Sequence, residues 1–143
     1  MMTSIAIDRV FAIVDDKVAR ESIASLIRLH GVEAHVYESR EQFMAQYDGN
    51  DLGCLVIDMH AAATSGVELQ RWVTRAGIGL PIIMVTAHRD VQTAVAAMRY
   101  GAVTCLEKPF GDHDLDFLLH SAPHFVTTRR IDPSSSLTSS STL

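Results

Sequence analysis

Asp15-Asp16, Asp58, Thr86 and Lys108 each stand at or just beyond the end of a short apolar run. Their types suit a single reaction centre. Three carboxylates brought together repel one another unless a cation joins them. Hard oxygen donors in a small hydrated site suit Mg2+, which typically takes one or two carboxylates and keeps waters. A lysine and a hydroxyl beside such a cluster grip the oxygens of a phosphoryl group. A carboxylate that is both near the cation and accessible serves as the nucleophile. Taken singly, an acidic pair after a strand is usually a solvated loop or a helix cap, and a lone aspartate a turn residue. Lys108-Pro109 and Thr86 are weaker still when taken alone. The weight lies in the set, and only if the fold brings its members together.

The flanking patterns predict such a fold. Arg9 to Val14 is a nearly continuous apolar run that stops abruptly at Asp15-Asp16. A helical pattern follows, with Ala19, Ile23, Leu26, Ile27 and His30 on one face and Gly31 placed for a left-handed cap. Val32 to Tyr37 reads as a strand, and Ser39 with Gln42 resembles a capping box opening a helix through Gln46. Cys54 to Ile57 is a buried strand ending on Asp58; Met59 to Ser65 reads as a loop and Gly66 to Arg75 as a helix. Pro81 to Val85 makes a fourth strand ending on Thr86. Asp90 caps a helix whose apolar positions Val91, Ala94, Val95 and Met98 share helical spacing, closed by Gly101. Val103 to Leu106 is the fifth strand, and a last helix from Asp112 to Ser121 buries Leu115, Leu118 and Leu119. Met44, Met84 and Met98 read as core filling.

Strands alternating with helices imply a doubly wound α/β fold, a parallel sheet with helices on both faces. Continuously apolar strands fit a sheet buried on both sides. Right-handed crossovers place every strand C-terminus along one edge, where ligand chemistry is expected. The chemical residues all fall on that edge.

Composition narrows the classes further. The chain has 143 residues, 48% hydrophobic and 20% charged, with a formal net charge of −5, as expected of a single globular domain. That charge disfavours whole-surface binding to nucleic acid or an anionic membrane. No apolar stretch approaches the roughly 18 residues of a membrane span, and no secretory signal opens the chain. Cys54 and Cys105 lack metal-site or disulfide spacing. A cytoplasmic protein is expected. Residues 1–8 read as a lead-in, 9–122 as the folded domain and 123–143 as a Ser/Thr-rich disordered tail.

In order, Val14-Asp15-Asp16, Asp58-Met59 followed by Gly66, Val85-Thr86-Ala87 and Lys108-Pro109-Phe110 resemble the motifs of response-regulator receiver domains, the CheY-like family. Gly101-Ala102-Val103 and Glu107-Lys108-Pro109-Phe110 are similar in wording to regulators of the FixJ and NarL type. The resemblance implies a five-stranded sheet of order 2-1-3-4-5. It implies that Asp58 accepts a phosphoryl group from a sensor histidine kinase or phosphotransfer protein. Asp16 and Asp58 would ligate Mg2+ directly, Asp15 through water, and the backbone carbonyl of His60 would complete the protein ligands. Lys108 would pair with the acyl phosphate, and Thr86 would hydrogen-bond a phosphoryl oxygen and move when it arrives. The phosphorylated state would then shift a two-state equilibrium toward a downstream protein, with a homodimer as one outcome.

Two positions depart from the family pattern: Ala62 replaces the usual proline, and Cys105 replaces the aromatic residue of the switch. His60 and His88 stand two residues beyond Asp58 and Thr86, where they would border the route of water to the acyl phosphate and tune its lifetime. Only the Ser/Thr-rich stretch follows the receiver, so direct DNA binding is not expected. No enzymatic activity is expected beyond the protein's own phosphoryl transfer and autodephosphorylation. Two alternatives stay open: a degenerate receiver acting as a phosphorylation-independent interaction module, and a Mg2+-dependent aspartyl phosphohydrolase. The second would want an aspartate where His60 stands.

Overall fold

In the computed structural model, which describes residues 9–49, 52–60, 65–111, 113–115 and 119, strands and helices alternate as the patterns predict. The order is β1 (Arg9–Val14), α1 (Lys17–Leu29), β2 (Glu33–Tyr37), α2 (Arg40–Gln46), β3 (Cys54–Asp58), α3 (Gly66–Arg75), β4 (Ile82–Thr86), α4 (Val91–Arg99) and β5 (Thr104–Glu107). Residues 113–115 and 119 are helical where the last helix was expected, with Leu115 and Leu119 buried. Leu118, Ala62 and the stretches 1–8 and 123–143 lie outside the described residues. None of the described helices is long and apolar enough to cross a membrane.

The five strands are all parallel in the order β2-β1-β3-β4-β5. Alternate strand residues feed opposite faces. Val10, Ala12, Val14, Val56, Ile83 and Val85 pack against Ile23 and Ile27 of α1 and against Leu115 and Leu119. Phe11, Ile13, Leu55, Ile57 and Met84 face Phe43 of α2, Leu69 and Val73 of α3 and Ala97 of α4. Each fully buried Val, Leu, Ile, Phe or Met among them contributes on the order of 2 kcal/mol through area removed from water. Gly66 lets α3 approach closely, since a Cβ there would meet Met84 Cε at 2.8 Å.

Polar side chains fix the helix starts. Ser39 Oγ accepts the Gln42 N–H at 3.1 Å, but the Gln42 side chain reaches back to the N–H of Glu38 rather than of Ser39. The reciprocal capping box is instead at Ser65 and Glu68 of α3. Asp90 caps α4 as expected, its side chain accepting the Thr93 N–H at 3.1 Å.

The expected inner face of α4 needs correction. Val91, Val95 and Met98 are 66%, 52% and 49% exposed, and the helix seats itself through Ala97. A small side chain lets the helix axis come close to the sheet, and the larger aliphatic stripe turns outward. Of the three methionines read as core, only Met84 is buried; Met44 is 41% exposed. The fifth strand also begins one residue later than expected, and Glu107 is its last member.

Candidate functional site

The β1–β3 register pairs Val14 with Asp58, so the acidic pair leaves β1 beside the last residue of β3. At this point the chain order turns back across the sheet, from β2 over β1 to β3, which is where open α/β sheets place their ligands. Asp15 projects to this crevice and Asp16 turns to α1, where its Oδ2 accepts the Ala19 N–H at 2.9 Å. Asp16 therefore fills the ordinary role of helix cap as well as its place in the motif. Arg20, one turn into α1, straps the backbone: its guanidinium donates to the carbonyls of Val14 at 2.9 Å and Asp15 at 3.5 Å.

Asp58 is 2% exposed. Lys108 Nζ lies 3.1 Å from its Oδ1, while its Oδ2 is buried without a hydrogen-bond partner among the described residues. Burial pushes the Asp58 carboxyl above the ordinary value, opposed by the Lys108 hydrogen bond and charge and by His60, and reinforced by the charge of Asp15.

His60 is the hinge of the cluster. Its backbone N–H donates to Asp15 Oδ1 at 2.7 Å, and its ring Nδ1 lies 3.1 Å from the same oxygen. Ring Nε2 contacts Lys108 Nζ and lies 3.6 Å from Asp58 Oδ1. The structure thus brings together Asp15, Asp58, His60 and Lys108. Among the described residues no three His, Cys, Asp or Glu side chains stand ready to hold a metal ion.

Thr86 ends β4 on the same edge, buried, and its carbonyl accepts the Lys108 N–H at 2.9 Å. It lines a cavity of about 220 Å3 together with Ala94, Cys105 and Glu107. Cys105 is half-buried there, Sγ donating weakly to the Ala94 carbonyl at 3.7 Å, and burial raises its thiol pKa. His88 pairs with Glu107, its Nδ1 2.9 Å from Oε2, which also accepts the Arg89 N–H at 2.5 Å, and it lines the same larger cavity as Asp58 and Lys108. A second cavity, about 460 Å3, opens beside Asp58 and Lys108 and is walled by Ile23 and Leu26 of α1 and by Phe110.

Sequence reasoning missed Arg20 and Glu107. The spacing of Arg20 four residues after Asp16 was a usable signal, because i+4 returns to the same helix face. Glu107 joins His88 and Arg89 across two elements, and no local pattern announces such a pair.

Comparison with known proteins places this geometry. Residues 10–119 match the response regulator receiver domain family. The chain is 39% identical over 98 residues to the transcriptional regulatory protein FixJ of Rhizobium meliloti, covering 68% of this chain and 48% of that protein. It is 31% identical over 106 residues to the response regulator protein TodT of Pseudomonas putida, covering 74% and 47%. The chain therefore spans about half the length of the curated relatives it matches. Among solved structures, FixJ-N superposes with a TM-score of 0.73 at 33% identity, covering 87% of this chain and 96% of that one. An all-parallel sheet of order 2-1-3-4-5, with an acidic crevice at its carboxyl edge, agrees with these likenesses in fold, and the chain belongs to the response regulator receiver domain family.

Proposed function

We propose that the chain accepts a phosphoryl group on Asp58 from a phosphohistidine of a sensor histidine kinase or phosphotransfer protein, with Mg2+, and signals by protein–protein contact. Asp58 carries the reading: it is a desolvated carboxylate at the switch point of the sheet, with Lys108 3.1 Å away and one oxygen buried without a hydrogen-bond partner among the described residues. In the transfer an Asp58 oxygen attacks phosphorus and the P–N bond to histidine breaks. The histidine nitrogen leaves with the electron pair and takes up a proton. The Lys108 ammonium faces the charge that grows on the phosphoryl oxygens, and Thr86 supplies a hydroxyl from the end of β4.

The donor set fits Mg2+. Asp15, Asp16, Asp58 and the backbone carbonyl of His60 offer only hard oxygens, and the orphaned Asp58 Oδ2 lacks a positive partner among the described residues. Direct ligation by Asp16 would fall to Oδ1, because Oδ2 holds the α1 cap. When bound, the cation supplies neutralising charge for the incoming group. His60 lies 3.6 Å from Asp58 whereas His88 pairs with Glu107 and reaches the site only as part of the wall of the cavity beside Asp58, so control of the phosphoryl lifetime is assigned to His60 before His88.

The test is incubation with a small acyl phosphate and Mg2+, followed by intact-mass measurement. One phosphoryl adduct is expected, absent in Asp58→Asn and in excess chelator. Labelling that survives either change would overturn the assignment.

A further inference from the structure

We propose that Gln70, with Arg71 beside it on α3, pins the C-terminal end of α4, so that α4 turns about that end as a lever and does not slide along the sheet. Gln70 is 0% exposed, and its Nε2 donates to the Ala97 carbonyl at 2.8 Å. The same carbonyl accepts the Ala102 N–H at 3.0 Å, the 6→1 bond of a Schellman stop with Gly101 at φ +101°. Both lone pairs of one terminal carbonyl are thus taken, one by the stop of α4 itself and one by α3. Arg71 places its guanidinium 4.6 Å from the ring centroid of Tyr100, the residue that ends α4. A cation there meets the negative end of the helix dipole.

Packing alone does not account for Gln70. Leu69 and Val73, the other buried side chains of α3, are apolar, and Gln70 Oε1 is buried without a hydrogen-bond partner among the described residues. A buried acceptor left without a donor costs stability, and a leucine would avoid that cost. What the amide adds is a fixed point between two helices. The N-terminal end of α4 is tied differently. Asp90 caps it from its own loop, and Cys105 Sγ reaches the Ala94 carbonyl only at 3.7 Å. Val91 and Ala94 border the cavity of about 220 Å3 that Thr86 also lines. A helix rises about 1.5 Å per residue, so Val91 stands roughly 9 Å from Ala97 along the axis. A tilt of about 10° about Ala97 carries the Val91 end by roughly 1.5 Å, a hinge motion the cavity can absorb. That a phosphoryl group drives this tilt through Thr86 rests on the reading of Asp58 as phosphoacceptor; the pin does not.

Backbone amide exchange of the full chain, wild type against Gln70→Leu, tests the pin. Tyr100 and Ala102 are expected to exchange at least about tenfold faster in the variant, with β1 and β3 changed less than about threefold. Unchanged exchange at Ala102 would mean that packing alone seats α4, and equal acceleration throughout the sheet would make Gln70 a core filler; either overturns the proposal. Should the variant fail to fold, the wild type decides. Side-chain amide protons of Gln70 are expected to show nuclear Overhauser contacts with Ala97 and Ala102, and their absence overturns the pin equally. Acyl phosphate with Mg2+ then tests the lever on the wild type. The Gln70–Ala97 contact is expected to persist while the contacts of Thr86 and Cys105 with Ala94 change. Loss of the Gln70–Ala97 contact, or a phosphoryl adduct that leaves both ends of α4 in place, overturns the lever. No adduct under any condition removes the phosphoacceptor reading, while exchange in Gln70→Leu still decides the pin.

Discussion

At the β2 edge of the sheet, Phe11, His35, Tyr37, Phe43 and Tyr47 close on one another with ring centroids 5.0 to 6.0 Å apart. Arg9 adds a guanidinium 4.9 Å from the Phe11 centroid and an ion pair to Asp48. At the β5 edge the side chains are small. Cys105 and Ala94 border a cavity of about 220 Å3, α4 rests on Ala97, and its valines and Met98 face solvent. One edge is locked by interdigitated rings, which add on the order of 1 kcal/mol per pair beyond their burial. The other is held by few apolar contacts, the property of segments that open at low free energy. The acidic crevice lies between a flank built to stay and a flank able to move.

Phe43→Ala should strike hardest, because Phe43 is 0% exposed and meets three of the other rings. Urea unfolding should show a loss of about 3–5 kcal/mol; a loss below 1 kcal/mol would mean that the aromatic edge is not the anchor. Hydrogen exchange sharpens the contrast without mutation. Amides of α4 and β5 should open with free energies roughly 2 kcal/mol below those of β1 and β3, about 30-fold faster exchange. Uniform protection across the sheet would erase the distinction.

Asp58→Asn probes the boundary between the flanks. Burial raises the native pKa of Asp58 above the ordinary carboxylate value, so its ionisation costs stability, in full once pH exceeds the native pKa. The penalty vanishes below the unfolded value. The variant should melt higher than the wild type at pH 7, and the gain should shrink as pH falls toward about 4. A lower melting temperature at pH 7 would show that the Lys108 pair outweighs burial. Smallest of all, Val95→Ala on the outer face of α4 should change stability by less than about 0.5 kcal/mol; a larger loss would place that face against packed structure.

Much of this was legible in the residues. Apolar runs that halt at Asp15, Asp58 and Thr86 mark both the strands and the edge where they end, since the chain leaves the apolar layer where its polar side chains begin. The rotation of α4 was not legible. Val91, Val95 and Met98 share helical spacing with Ala94, and periodicity reports that a stripe exists, not whether large or small side chains turn inward. Ser65 ends the expected loop and Gly66 begins the expected helix, but the capping box between Ser65 and Glu68 was not read from the sequence. His60 entered only by analogy, and its ring contacts depend on residues 45 and 48 positions away.

Arg89 adopts φ +65°, a left-handed backbone in which a side chain other than glycine carries strain on the order of 1 kcal/mol or more. Its N–H is held by the carboxylate of Glu107, the residue joined by a peptide bond to Lys108. The turn after Thr86 is thus held in a strained conformation with the help of Glu107, which binds both His88 and the Arg89 N–H and sits a single residue from the lysine that contacts Asp58. An arginine here keeps tension that glycine would let go. The strain of that turn is thereby coupled, through the Glu107 carboxylate, to the residue that precedes Lys108.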